Sequence, residues 1–103
     1  MGLTDLETQR DRLRRLRILQ VLQQNRPEPV GDGLIGRCLR DDIDLGFTQA
    51  NIRTSIDYLA ERGLVAITLR TTERWIAKIS ANGVDFLQGV GAKIDGVAHP
   101  EEF

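Results

Sequence analysis

The stretch that most constrains this chain is residues 47–79, FTQANIRTSIDYLAERGLVAITLRTTERWIAKI. Ile52, Ile56 and Leu59 recur at i, i+4 and i+7, so they line one face of a helix. Thr48 is placed to cap that helix, because its hydroxyl can accept a hydrogen bond from a first-turn amide. Phe47, just before the cap, can pack on Ile52 as a hydrophobic staple. Asn51 stands where a capping box would want Glu or Gln, so no box is expected. Gly63 tolerates the positive φ that ends a helix. Residues 64–70 are strand-like, Thr71, Thr72 and Glu73 make a polar tip, and residues 74–79 return as a second strand.

A chain of 103 residues has room for one small domain, whose core is small enough that oligomerisation would add to it. At 41% hydrophobic and 28% charged it has the balance of a globular protein. Its single cysteine excludes an internal disulfide and fits a reducing, cytoplasmic setting. No apolar run approaches the length of a membrane span, and no signal peptide is visible.

The net charge of −1 is unlike that of a dedicated nucleic-acid binder, but the charge is unevenly distributed. Residues 1–26 carry +3 and residues 48–79 carry +2. Residues 27–47 and 80–103 carry −3 each. The positive segments are the first helix and the helix-plus-hairpin unit, which suits an anionic partner better than the total does.

Ahead of the central stretch, Thr4 or Asp5 to about Gln24 reads as a long first helix. It lacks glycine and proline and is filled with good helix formers. Its apolar residues fall on two sides: Leu6, Leu13 and Leu16 on one, Ile18, Leu19 and Leu22 towards another. One face should meet the domain's own core, and the other the last helix or a second copy. Leu6, Leu13 and Leu16 are therefore read as a homodimer contact, with a solvated arm as the alternative. Pro27 and Pro29 end the helix. Val30 is placed as a tiny first strand that pairs with the hairpin. A short second helix runs from Asp32 or Gly33 to about Arg40, burying Ile35, Cys38 and Leu39. Gly46 is the turn residue before Thr48. Beyond the hairpin, Ser80 can cap a fourth helix ending near Gln88, where Gly83 would permit close packing. The expected organisation is one domain over residues 1–90 and an irregular tail over residues 91–103.

Helix, short strand, helix, helix, strand, tip, strand and helix is the order of a winged helix-turn-helix, mainly α with a small β-hairpin wing. The run YLAERGLVAITL…WIAKISANGVDFL resembles the matching part of MarR-like and ArsR-like bacterial regulators, through Leu59, Gly63, Leu64 and Val65, then Ile79, Ser80, Gly83 and Leu87. Over most of its length the chain is also similar to small winged-helix proteins of Mu-like phages and prophages. That likeness rests on RLRRLRILQVL, on Leu45-Gly46, and on the tail Ile94-Asp95-Gly96-Val97-Ala98-His99-Pro100. The resemblance implies a phage or prophage transcriptional regulator that binds duplex DNA.

In a helix-turn-helix the second helix of the pair enters the major groove with its N-terminal residues at base edges. Here Gln49, Arg53 and Thr54 lie opposite the buried stripe. Gln49 and Arg53 have the donors and acceptors for adenine and guanine edges, and Thr54 can reach a phosphate or a thymine methyl. Asp57 and Glu61 on the same helix oppose phosphates. At the tip, Arg70, Thr71, Thr72 and Arg74 can grip the backbone or the minor groove. For all of these the alternative is a solvated polar face, and for the whole domain it is a protein-interaction module. The arginines of the first helix fall at several angles and are read as a solvated face. Trp75 is assigned to the core or a subunit contact. Catalysis finds no support: there is no nucleophile–His–acid set, no phosphate loop, no paired metal ligand and no cofactor motif. His99 stands alone in the tail, and Asp41, Asp42 and Asp44 lack the calcium-loop pattern.

Overall fold

The computed structural model describes residues 3–102; Met1, Gly2 and Phe103 lie outside them, as do the side chains of Leu3, Thr4 and Glu102. Among the described residues, four α-helices and a three-stranded antiparallel sheet form an α+β fold. The order is α1 (Leu3–Gln24), β1 (Val30–Gly31), α2 (Asp32–Cys38), α3 (Gln49–Glu61), β2 (Val65–Arg70), β3 (Trp75–Ile79) and α4 (Ala81–Leu87). Short 3₁₀ turns cover Ile43–Leu45 and Pro100–Glu102. The arrangement is compatible with a winged helix.

With 22 residues, α1 is about 33 Å long at 1.5 Å per residue, against a longest molecular dimension of 38 Å. Both of its apolar sides are used: Leu16, Ile18, Leu19, Val21 and Leu22 are all buried. Leu16, at 2% exposed, belongs to the chain's own core, so it cannot serve the homodimer contact assigned to it. Leu13 is half-buried against the core, and only Leu6 is well exposed. Each fully buried leucine or isoleucine contributes about 1.5–3 kcal/mol, and α3 adds Ile52, Ile56 and Leu59 to the same cluster.

The arginines of α1 do not form a solvated face. Arg10, Arg14 and Arg17 reach the loop between α2 and α3, donating to the Asp44 carbonyl (3.2 Å), the Leu45 carbonyl (2.6 Å) and the Asp42 carboxylate (3.0 Å). Arg12 and Arg15 reach the C-terminal segment, donating to the carbonyls of Asp95 (2.7 Å) and Gly96 (2.8 Å). The helix is a strut from which charged donors hold two loops that lack a ladder of their own.

The C-terminal segment is irregular in backbone, as expected, but it completes the core rather than leaving it. Val97 and Ala98 are each 1% exposed, and the Ala98 amide bonds the Arg12 carbonyl (3.1 Å). His99 is buried edge-on against Phe86, and its Nδ1 accepts the Glu101 amide (3.2 Å). Gly96 packs on Tyr58 so closely that a Cβ would overlap the phenol oxygen. The Tyr58 ring has the Arg15 and Arg62 guanidinium carbons 3.7 and 3.8 Å from its centroid. At such distances the two cations occupy opposite faces of the ring.

The helix caps show both agreement and correction. Thr48 caps α3, its hydroxyl accepting the Asn51 amide (3.2 Å). A capping box is present after all: Asn51 Oδ1 accepts the Thr48 amide (2.9 Å), doing with a shorter side chain what Glu does elsewhere. Gly63 has φ 74°, and Ser80 caps α4 while donating to the Gly63 carbonyl (2.6 Å). A Cβ on Gly83 would run into the Leu64 carbonyl, so the close packing expected of this residue is present. Cys38 is exposed, against its expected burial; α2 turns Ile35 and Leu39 inward instead.

In the sheet, β3 lies between β1 and β2, and Val30 pairs with Ala77 as expected. The β2–β3 register runs Ile67↔Ala77, then Leu69↔Ile76 and Arg70↔Trp75, so a bulge interrupts it at Thr68. The extra residue breaks the alternation of sides. Leu69 therefore shares Ile76's outer face and is 40% exposed, while Arg70 joins Trp75 on the side of α3.

Candidate functional site

The bulge and the α3 cap place the hairpin against α3, and the contact between them centres on Asp32. This residue opens α2 directly after β1 and is 4% exposed. Its Oδ2 accepts from Arg53 Nε (2.7 Å), and its Oδ1 accepts the amides of Gly33 (3.1 Å) and Trp75 (3.3 Å). Arg53 also donates through Nη1 to the Thr72 carbonyl at the hairpin tip (2.9 Å). One ion pair thus joins α2, α3, β3 and the tip. Charge-assisted bonds of this length are stronger than neutral ones, and burial raises the cost of breaking them.

Arg53 was expected at a base edge, yet its side chain is only 17% exposed and its head group is committed to Asp32 and Thr72. Arg70 pairs with Asp57 (2.9 Å) and lies over the Trp75 ring at 4.5 Å. Arg53 approaches the same ring at 5.7 Å, so Trp75 is half-buried among cations as well as against the core. Thr71 is spent within the turn: its amide bonds the Arg74 carbonyl (2.9 Å) and its hydroxyl accepts the Arg74 amide (3.0 Å). That hydroxyl closes a tip that has no Asn-Gly pair to do so. Thr54 donates its hydroxyl to the Ala50 carbonyl one turn back (2.9 Å), leaving its methyl and a lone pair outward.

The remaining candidates are open. Gln49 is exposed in the first turn of α3, beside exposed Ala50, and its amide has no partner among the described residues. Thr72 is exposed at the tip with only its carbonyl engaged. Arg74 is exposed, lies along Gly31 and has no ion pair among the described residues. The structure thus gathers Gln49, Thr54, Thr72 and Arg74 around the Arg53 clamp. Asp57 and Glu61 are paired, with Arg70 and with Arg62 (3.3 Å), so the acids on α3 do not stand as bare charges.

Asp32 was the residue that sequence reasoning missed. It sits in a Gly-Asp-Gly run that looks like turn chemistry, and its partner is 21 positions away. No local period links two such residues. Among the described residues no group of three His, Cys, Asp or Glu is placed to hold a metal ion. No helix of the described residues is long and apolar enough to cross a membrane.

No protein-family model matches the chain, and searches of curated proteins and of solved structures returned no match.

Proposed function

We propose that this chain is a winged helix-turn-helix protein that binds duplex DNA and acts as a transcriptional regulator of phage or prophage origin. In this reading the first turn of α3 enters the major groove, and the β2–β3 hairpin is the wing that rides on the backbone. The observation that carries it is the Asp32–Arg53–Thr72 clamp. It holds the hairpin tip at a fixed place beside α3 and leaves Gln49, Ala50 and Thr54 on one side and Thr72 and Arg74 on the other facing outward. Rigid placement lowers the ordering cost of docking on a regular helix. Gln49 is then the base-edge reader, Thr54 supplies a methyl for thymine, and Arg74 meets phosphate. Arg53 positions the wing and reads no base. Titration of labelled mixed-sequence duplex at low salt tests this. Affinity is expected to fall linearly with salt on logarithmic axes. Arg74→Glu should weaken binding to every sequence, and Gln49→Ala should chiefly flatten sequence preference.

A second reading, a protein-interaction module, draws on the pairing of Asp32, Asp57 and Glu61 and on the exposed Leu34 (50%) and Leu69 (40%) beside the same face. It predicts no binding to any duplex at low salt.

A further inference from the structure

Helix α1 carries a seam that the domain leaves uncovered. Leu6, Arg10, Leu13, Arg17, Gln20 and Gln24 succeed one another at alternating steps of four and three, the repeat along which two helices pack. Leu6 is 42% exposed and its neighbours through Gln9 are exposed, although the helix is continuous there. Leu13 forms the common floor of two adjoining depressions. One is walled by the turn Ile43–Leu45 with Asp41 and Asp42, and the other by Leu16, Arg17, Gln20 and Pro100. Ile43, 84% exposed, stands over the first. A knob and a socket therefore lie on the same helix, about two turns apart.

The order of charges decides what covers this face. The start of α1 is acidic, with Asp5, Glu7 and Asp11 against Arg10 alone. Its middle is basic, with Arg12, Arg14, Arg15 and Arg17. A second α1 laid antiparallel sets acidic start over basic middle in both copies, whereas a parallel one sets like over like. A two-fold axis makes such a contact self-complementary, so that each knob meets the other copy's socket. The geometry points to a homodimer in which the N-terminal halves of two α1 helices pair antiparallel about an axis between Gln9 and Arg10. Leu6 of each copy sits against Leu13, Ile43 and Leu45 of the other. This assignment does not depend on DNA binding.

Sedimentation of the full chain over a range of concentrations tests it. The wild-type chain is expected to approach twice its 11.6 kDa mass, and Leu6→Glu to remain at the single-chain mass. Leu6 lies outside the core, so the variant should keep the wild-type helix signal in circular dichroism. In a Cys38→Ser background, Gln9→Cys should oxidise to a covalent dimer. Leu6→Cys should not, because the antiparallel register puts those two sulfurs about 10 Å apart along the helices. A wild-type chain that stays monomeric, a Leu6→Glu dimer, or faster cross-linking of Leu6→Cys than of Gln9→Cys would each overturn the assignment.

Discussion

Asp32→Asn is the perturbation that bears hardest on the clamp. The amide keeps one oxygen for the Gly33 and Trp75 amides, but it removes the negative charge beside Arg53 and turns an N–H donor towards Nε. Arg53 is then a cation only 17% exposed with no counter-charge, and its Nη2 is already buried without an acceptor. Removing one member of a buried pair costs about 3–5 kcal/mol. Arg53 keeps its bond to the Thr72 carbonyl and some exposure, so the lower end, about 3 kcal/mol, applies here. That is a large share of the roughly 5–15 kcal/mol that holds a small domain folded. At about 4–8 °C per kcal/mol it lowers the melting temperature by about 12–24 °C. Urea unfolding followed by circular dichroism, with melting as a second probe, measures the loss directly. The double change Asp32→Asn, Arg53→Met should recover part of it, since no buried charge is left unpaired. A loss below about 1 kcal/mol would refute the reasoning, because an exposed ion pair is worth no more than that.

Two other changes probe places where the structure departs from the sequence expectation. Gly96→Ala drives a methyl into Tyr58 and should cost about 1–3 kcal/mol in urea unfolding, although the residue sits in a segment without regular structure. Cys38 should react fully with an aromatic disulfide reagent in the native state, at the rate of an open thiol; protection until unfolding would place it in the core.

What the sequence carried was mostly what is periodic or local. The Ile52, Ile56 and Leu59 stripe, the Thr48 and Ser80 caps, the Gly63 stop and the Gly83 contact all act within a turn or two of themselves, and composition marks them. Asn51 escaped because the capping-box pattern is written for longer side chains, while the geometry asks only for an oxygen within reach of the Thr48 amide. The arginines of α1 escaped for a different reason. Their partners are backbone carbonyls of distant loops, and a carbonyl has no letter in the sequence. The same holds for the C-terminal segment, whose Val97 and Ala98 look like any two apolar residues until Arg12 and Tyr58 are placed beside them. The bulge at Thr68 reversed the sides of Leu69 and Arg70, and strict alternation cannot anticipate an inserted residue. At the candidate site, Gln49, Thr54, Thr72 and Arg74 were legible as outward residues of an amphipathic helix and a tip. The role of Arg53 was not, because it depends on Asp32.

The proposed function turns on whether the α3 and hairpin face is where duplex DNA docks, and amide shift mapping by NMR at low salt addresses that residue by residue. The account predicts that adding a mixed-sequence duplex shifts Gln49, Ala50, Thr54, Thr72 and Arg74, while Val97, Ala98 and the Ile43–Leu45 turn stay in place. Unchanged spectra, or shifts confined to α1 and the Ile43–Leu45 turn, would contradict it.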